Sequence, residues 1–181
     1  NDFFTLPMTQ VMDDKKAPVT IEVQYPEGMV KAYVWRVQVG RNPLYLLDAN
    51  VPTNRPEDRE ITSRLYGGDQ DMRVRQEVLL GIGGMRALTV LGYKPTVCHM
   101  NEGHSAFLSI ERIRVLMDEE KLNFAAALEL VSASNVFTTH TPVPAGNDAF
   151  HPDIIQRYLG SYYPKLGLSK EQFFDLGKIT P

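Results

Sequence analysis

The chain has 181 residues, of which 43% are hydrophobic and 23% charged, and its formal net charge is −3. This is the composition of a soluble globular domain with a real core. A pI near 5.8 lacks the basic footprint of a nucleic-acid binder, and no apolar run reaches the ~20 residues that cross a bilayer.

The first third reads as β-structure. Thr20–Tyr25 alternates, Pro26-Glu27-Gly28 supplies a hairpin turn, and Met29–Val39 alternates again. Tyr33, Trp35, Val37 and Val39 fall on one face, with Val30, Ala32 and Val34 on the other. Arg41-Asn42-Pro43 turns the chain into a third strand at Leu44–Leu47, which completes a three-stranded meander. Residues 52–56 read as a linker, and Pro56 suits the first position of a short helix.

From about Arg73 helices and strands alternate. Val74, Val78, Ile82 and Met85 form a helical stripe, which Gly92 ends as a left-handed cap. Thr96–Met100 is expected to be the first core strand, with Cys98 as a buried, inert thiol. As the only cysteine it excludes an internal disulfide and suits a reducing cytoplasm. Ala106, Ile110, Ile113 and Met117 mark the next helix, with Glu111, Arg112 and Arg114 off that stripe. Asn123 caps a third helix to about Ser132, and Asn135–His140 is the second core strand. Two intervening helices allow these strands to pair in parallel. An irregular loop from Pro142 follows, then a helix opened by His151-Pro152-Asp153, and a Ser169/Gln172 capping box. The expected fold is α/β, with a β-meander subregion at 1–55 and a Rossmann-like portion at 56–181 holding the parallel strands.

Several constellations in this second portion suggest chemistry. Gly81, Gly83 and Gly84 do not complete a dinucleotide fingerprint, because Arg86 stands where the last glycine belongs and no strand precedes them. Close packing of the helix against a neighbouring backbone is the expected reason for these glycines. His99, Glu102 and His104 make a poor metal site, since strand alternation separates His99 from the others. Ser105, His140 and Asp148 lack the strained elbow of a serine hydrolase, and Ser105 is better spent as a helix N-cap. What remains is a hydrogen-bonding wall. Asn101, Glu102 and His104 leave the first strand, while His140, Thr141 and Asn147 leave the second. Polar groups at the carboxyl ends of adjacent parallel strands suit a ligand rich in hydroxyls, because they offer both donors and acceptors.

The segments His99-Met-Asn-Glu-Gly-His-Ser-Ala-Phe-Leu and Phe137-Thr-Thr-His-Thr-Pro-Val-Pro-Ala-Gly-Asn-Asp, with Arg73-Val-Arg-Gln-Glu77, resemble the α-glucan (glycogen or maltodextrin) phosphorylases. The compact bacterial and archaeal type is the most similar. The resemblance implies a glycosyltransferase of the GT-B plan, with this chain as part of the N-terminal half. The chain's first residue, Asn1, and its end at Pro181 also read as an excised piece. The implied activity transfers the non-reducing-end glucosyl unit of an α-1,4-glucan to inorganic phosphate. His140 inherits the contact to the transferred glucosyl unit. Asn101, Glu102, His104, Thr141 and Arg73 are assigned to substrate binding. The family's pyridoxal phosphate and its lysine belong to the C-terminal half, the implied partner of this piece, so the fragment alone is expected to be inactive. Glu102 and Ser105 stand where larger members carry aspartate and proline, and the loop before Arg73 is shorter than their gating loop. A homo-oligomer is left open. The alternatives are a nucleotide-sugar-dependent glycogen or starch synthase, which shares the plan, and a non-catalytic carbohydrate-binding module.

Overall fold

The computed structural model describes residues 7–64, 68–140 and 148–178. It is a mixed α/β structure that divides into two compact units, Asn1–Gly67 with Gly83–Lys94, and Gly68–Ile82 with Pro95–Pro181.

The first unit is built on an antiparallel sheet. β1 (Met8–Gln10), β2 (Thr20–Tyr25) and β4 (Asn42–Asp48) all pair with the long β3 (Gly28–Val39). The expected meander is β2-β3-β4, and its first turn holds Gly28 at φ 139. β1 is an addition: it pairs Met8 with Val37 and Gln10 with Trp35. Of the two alternating faces of β3, the one carrying Val30, Ala32 and Val34 is buried, together with Ile21, Val23 and Tyr25 of β2. The segment read as a linker is tied down. Asn54 is buried, accepts from the Lys31 backbone N–H at 2.9 Å and donates to Lys31 and Ala49 carbonyls. Its amide thus completes backbone pairs that a loop would leave open. The helix α1 (Pro56–Arg59) follows with proline at its start.

The expected single helix around the Val74 stripe is three pieces: α2 (Gln70–Val78), a π-helical turn at Leu79–Gly83 and α3 (Gly84–Val90). Asp69 caps α2 by accepting from the Met72 N–H at 3.0 Å. Val74, Val78, Ile82 and Met85 are all buried, and Gly92 takes φ 81 after the last turn. In the first unit α3 packs on β2, and Arg86 donates to the Glu22 carbonyl at 2.6 Å.

In the second unit, β5 (Cys98–Asn101) and β6 (Asn135–Thr138) pair in parallel, as expected from the two-helix crossover. The register sets Cys98 against Asn135 and Asn101 against Thr138. Both strands differ from their sequence-based limits for a visible reason. The Thr96 carbonyl is taken by Arg112 at 3.3 Å, so the ladder begins only with the Cys98 N–H bonding the Ser134 carbonyl. His140 leaves the ladder because its N–H turns to the Glu102 side chain.

The crossover is α4 (Leu108–Glu119) and α5 (Phe124–Ala133), the latter capped by Asn123. α4 corrects the amphipathic reading, since Glu111 and Arg112 are buried beside Ile110 and Ile113. Glu111 is fully buried but matched: Arg114 donates to both its oxygens, at 2.8 and 3.1 Å, and the Tyr162 hydroxyl donates to Oε2. Arg112 bonds the Ser134 carbonyl at 3.1 Å and the Asn135 side chain, so it holds the entry ends of both strands. Ser105 is not an N-cap. It lies in a 3₁₀ turn, Glu102–Ser105, and α4 begins after Phe107 with no side-chain cap. α6 (Pro152–Leu159) opens at His151, and α7 (Lys170–Asp175) carries the Ser169/Gln172 capping box. No helix among the described residues is long and apolar enough to cross a membrane.

The glycines of the helical run separate into two cases. A Cβ on Gly81 would stand 2.7 Å from the Leu108 nitrogen and 2.9 Å from the Phe107 carbonyl carbon, so close backbone approach holds there. At Gly84 a Cβ meets nothing within 4 Å, and the packing explanation fails. Gly81→Ala should therefore lower stability by about 1–3 kcal/mol through overpacking. Gly84→Ala should raise it by about 0.5–1 kcal/mol through helix propensity and a less flexible unfolded chain. Denaturant melts of the two variants check the opposite signs.

Candidate functional site

The parallel register carries the exit ends of β5 and β6 to one rim. On β5, Cys98 and Met100 are buried while His99 and Asn101 are exposed. His99 meets the Thr138 hydroxyl across the ladder, which takes it away from Glu102 and His104. One residue beyond Asn101, Glu102 adopts φ 56, a left-handed conformation that non-glycine residues rarely hold. The kink turns the chain from strand into the 3₁₀ turn and leaves the Glu102 carboxylate beside the end of β6.

There it meets His140. Glu102 Oε1 accepts the His140 backbone N–H at 3.2 Å, and His140 Nε2 lies 2.6 Å from Asn101 Oδ1. With the amide oxygen facing the ring, Nε2 donates and Nδ1 is the acceptor-type nitrogen. Glu102 Oε2 is 3.7 Å from His104 Nε2. On the other side of that ring, Arg73 Nη2 stands 3.5 Å from His104 Nδ1. The structure thus brings Asn101, Glu102, His104, His140 and Arg73 into one connected group. Thr141 and Asn147 lie outside the described residues. His140 and Asn101 are exposed at this rim, whereas Arg73, Glu102 and His104 are half-buried behind them. Asp148 is engaged by Arg73 at 2.5 Å rather than serving as the acid of a triad.

Two carboxyls join the group that sequence reading did not assign to it. Glu77 sits four residues after Arg73 on α2 and is only 5% exposed. Asp148 follows the segment after β6. Burial first, then the hydrogen bond and charge of Asp148, pushes the Glu77 carboxyl up to about 8, against the pull of Arg73. The Arg73 hydrogen bond, foremost, holds Asp148 below the usual carboxylate range. The signal for Glu77 was a glutamate between the buried Val74 and Val78, at i+4 from an arginine, a spacing that puts both side chains on one helix face.

Glu77, His104 and Asp148 bring ligand-type atoms within 4.8 Å of one another. Arg73 already occupies the cationic position among them, 2.5 Å from Asp148 and 3.6 Å from Glu77. A metal ion would have to displace that guanidinium. The chain has eight lysines, and none stands in the group among the described residues, so an aldehyde cofactor held as a Schiff base does not fit here. The arrangement is suited to holding and orienting a polyhydroxylated ligand through neutral and paired donors and acceptors.

A family model described as carbohydrate phosphorylase matches residues 85–169, which include both strands, Glu102, His104 and His140. The maltodextrin phosphorylase of Thermococcus litoralis is 46% identical over 173 residues, 96% of this chain and 20% of that protein. The chain belongs to the carbohydrate phosphorylase family. A glycogen phosphorylase of Mycobacterium tuberculosis is 49% identical over 160 residues, 85% of the chain and 18% of that protein. That of Aquifex aeolicus is 33% identical over 172 residues, 95% of the chain and 25% of that protein. The chain therefore spans a quarter or less of the length of these relatives.

The strained turn at Glu102 yields a test. Glycine at this position relieves a left-handed conformation that costs roughly 1–2 kcal/mol with a Cβ present, and alanine does not. Both remove the acceptor for the His140 N–H. Glu102→Gly should therefore be more stable than Glu102→Ala by about 1 kcal/mol, reversing the usual order, and equilibrium unfolding of the pair measures it.

Proposed function

We propose that this phosphorylase chain is part of the N-terminal Rossmann-like half of a GT-B glycosyltransferase, and that the rim at β5 and β6 is its glucan-positioning wall. In this reading the whole protein is an α-glucan phosphorylase. It transfers the non-reducing-end glucosyl unit of an α-1,4-glucan to inorganic phosphate and releases glucose 1-phosphate. The observation that carries the reading is the parallel register that sets Asn101 and Glu102 against the exit of β6, beside His140.

The mechanism assigned to these residues is orientation. His140, exposed and held by Asn101, bonds a hydroxyl of the glucosyl unit being transferred. Glu102 and His104 line the neighbouring acceptor subsite with Arg73 behind them, and Thr141 is assigned to substrate binding with His140. Donors and acceptors held in place before the substrate arrives lower the cost of aligning the reacting bond with phosphate. Excluding water matters equally, because hydrolysis of an oxocarbenium-like transition state competes with phosphate attack. Pyridoxal phosphate, the cofactor of this reading, supplies its phosphate-dependent chemistry from residues outside this chain. Val136 and Phe137 of β6 are each 49% exposed, on opposite faces of the ladder. They are surfaces on which further elements of such a domain would pack, since parallel strands are ordinarily covered on both faces. The buried free thiol of Cys98 suits the cytoplasm.

Assay of the full-length protein with phosphate and maltodextrin, against ADP-glucose and maltodextrin, separates phosphorolysis from a synthase reaction. Glucose 1-phosphate is expected only in the first. His140→Ala should lower glucosyl transfer by about 10²-fold through lost alignment while leaving cofactor absorbance intact. Near-normal turnover in that variant contradicts the assignment.

A further inference from the structure

Glu77 has no substrate contact assigned to it above, yet it is buried against residues that have one. Its Oε1 is shielded from solvent and has no hydrogen-bond partner, and Arg73 Nη2 stands 3.6 Å away, beyond hydrogen-bond reach. The same Nη2 is 2.5 Å from Asp148 and 3.5 Å from His104 Nδ1. The guanidinium therefore bonds Asp148 directly and holds Glu77 and His104 at longer range.

We infer that Glu77 is a positioning residue for this site: a neutral carboxyl that donates its proton to Asp148, and so leaves Arg73 on Asp148 and His104. The inference rests on the reading of the rim as a glucan wall. Two ionised carboxylates within 4.8 Å of each other, one of them buried, repel strongly in a low-dielectric setting. One proton shared between them removes that repulsion, and a single arginine then balances the remaining charge.

The charged and titratable groups around Glu77 bear this out. Arg73 lies on its own helix. His104 faces it from the 3₁₀ turn and Asp148 from the segment before α6, with Glu102 3.7 Å from the His104 ring. On α6, Arg157 and Tyr158 are committed to Asp71, at 3.2 and 2.5 Å, and Arg75 acts electrostatically on Tyr158. Arg73 is thus the cation that Glu77 would capture on ionising. Capture would close the 3.6 Å gap and draw Nη2 from His104. The consequence runs outward. An arginine donating to His104 Nδ1 leaves the ring proton on Nε2, facing Glu102 Oε2. Glu102 in turn holds the His140 N–H through Oε1.

The raised carboxyl, at about 8, sets the pH window. The folded state keeps a proton that the unfolded chain loses near the ordinary glutamate range. Stability from this group therefore falls as pH rises from about 4.5 to about 8, and is constant above. The test uses the full-length protein, with maltoheptaose affinity measured by calorimetry from about pH 6 to about pH 9, a range that brackets the raised carboxyl. Wild-type affinity should weaken about tenfold per pH unit once Glu77 ionises. E77Q, a permanently neutral isostere, should recover most of the neutral-pH affinity that Glu77→Ala loses, and should lack the alkaline decline. A wild-type decline that persists unchanged in E77Q overturns the proposal. A second measurement stands apart from glucan binding: the Tm of E77Q relative to wild type should climb between about pH 5 and about pH 8, and a constant difference also overturns it. Absence of phosphorolysis in the wild-type protein counts against the functional reading alone, because the stability comparison still decides the state of Glu77.

Discussion

Arg112 reaches from α4 to the entry ends of both parallel strands, and the placement of every group at the rim depends on that reach. Its guanidinium bonds the carbonyls of Thr96 and Ser134 and the side chain of Asn135. Asn135 in turn donates to Ser109 of α4 at 3.0 Å. A four-residue parallel ladder has few bonds of its own with which to resist slipping, and a slip of one residue exchanges its two faces. Pinned at Cys98 and Asn135, the ladder delivers Asn101 beside Thr138. Glu102, the residue after Asn101, and His140, two residues past Thr138, then complete their contact.

Behind the rim the charges are arranged to hold shape. Glu77 is buried, Arg73, His104 and Glu102 are half-buried and Asp148 is exposed, and the Arg73 guanidinium stands among Glu77, Asp148 and His104. His140, exposed at the rim, is oriented by contacts on both its ring and its backbone. Such order is what an alignment mechanism requires, because the gain from positioning is lost if the positioning groups must reorganise when substrate binds. The strained backbone at Glu102 belongs to the same arrangement: an ordinary extended residue there would carry its carboxylate away from β6.

Much of this was legible in the amino-acid order. The β2-β3-β4 meander followed from strict alternation and from Pro26-Glu27-Gly28, and the parallel pair followed from the length of the crossover between two short apolar runs. The side chains at the strand exits were recognisable because His, Asn and Glu cluster where the apolar pattern stops. What escaped was everything decided by distant partners. β1 is three residues long and is a strand only because β3 extends past β2. The limits of β5 and β6 were set by Arg112 and Glu102 competing for backbone groups. Glu111 and Arg112 look like solvent-facing charges until Tyr162, Arg114 and the strand ends are placed around them. Ser105 has the chemistry of a cap, but the turn at Glu102 starts the helix later. Glu77 lies beside the Val74 and Val78 stripe, but nothing in the amino-acid order alone brings His104 and Asp148 to it.

A structure of the full-length protein with a bound maltooligosaccharide addresses the central claim most directly. The account predicts a sugar hydroxyl within hydrogen-bond distance of the His140 side chain, a second sugar unit against Glu102 and His104, and β5 and β6 paired in the register that sets Asn101 against Thr138. An oligosaccharide held elsewhere, with the His140 and Asn101 side chains still bonded only to each other, would contradict it.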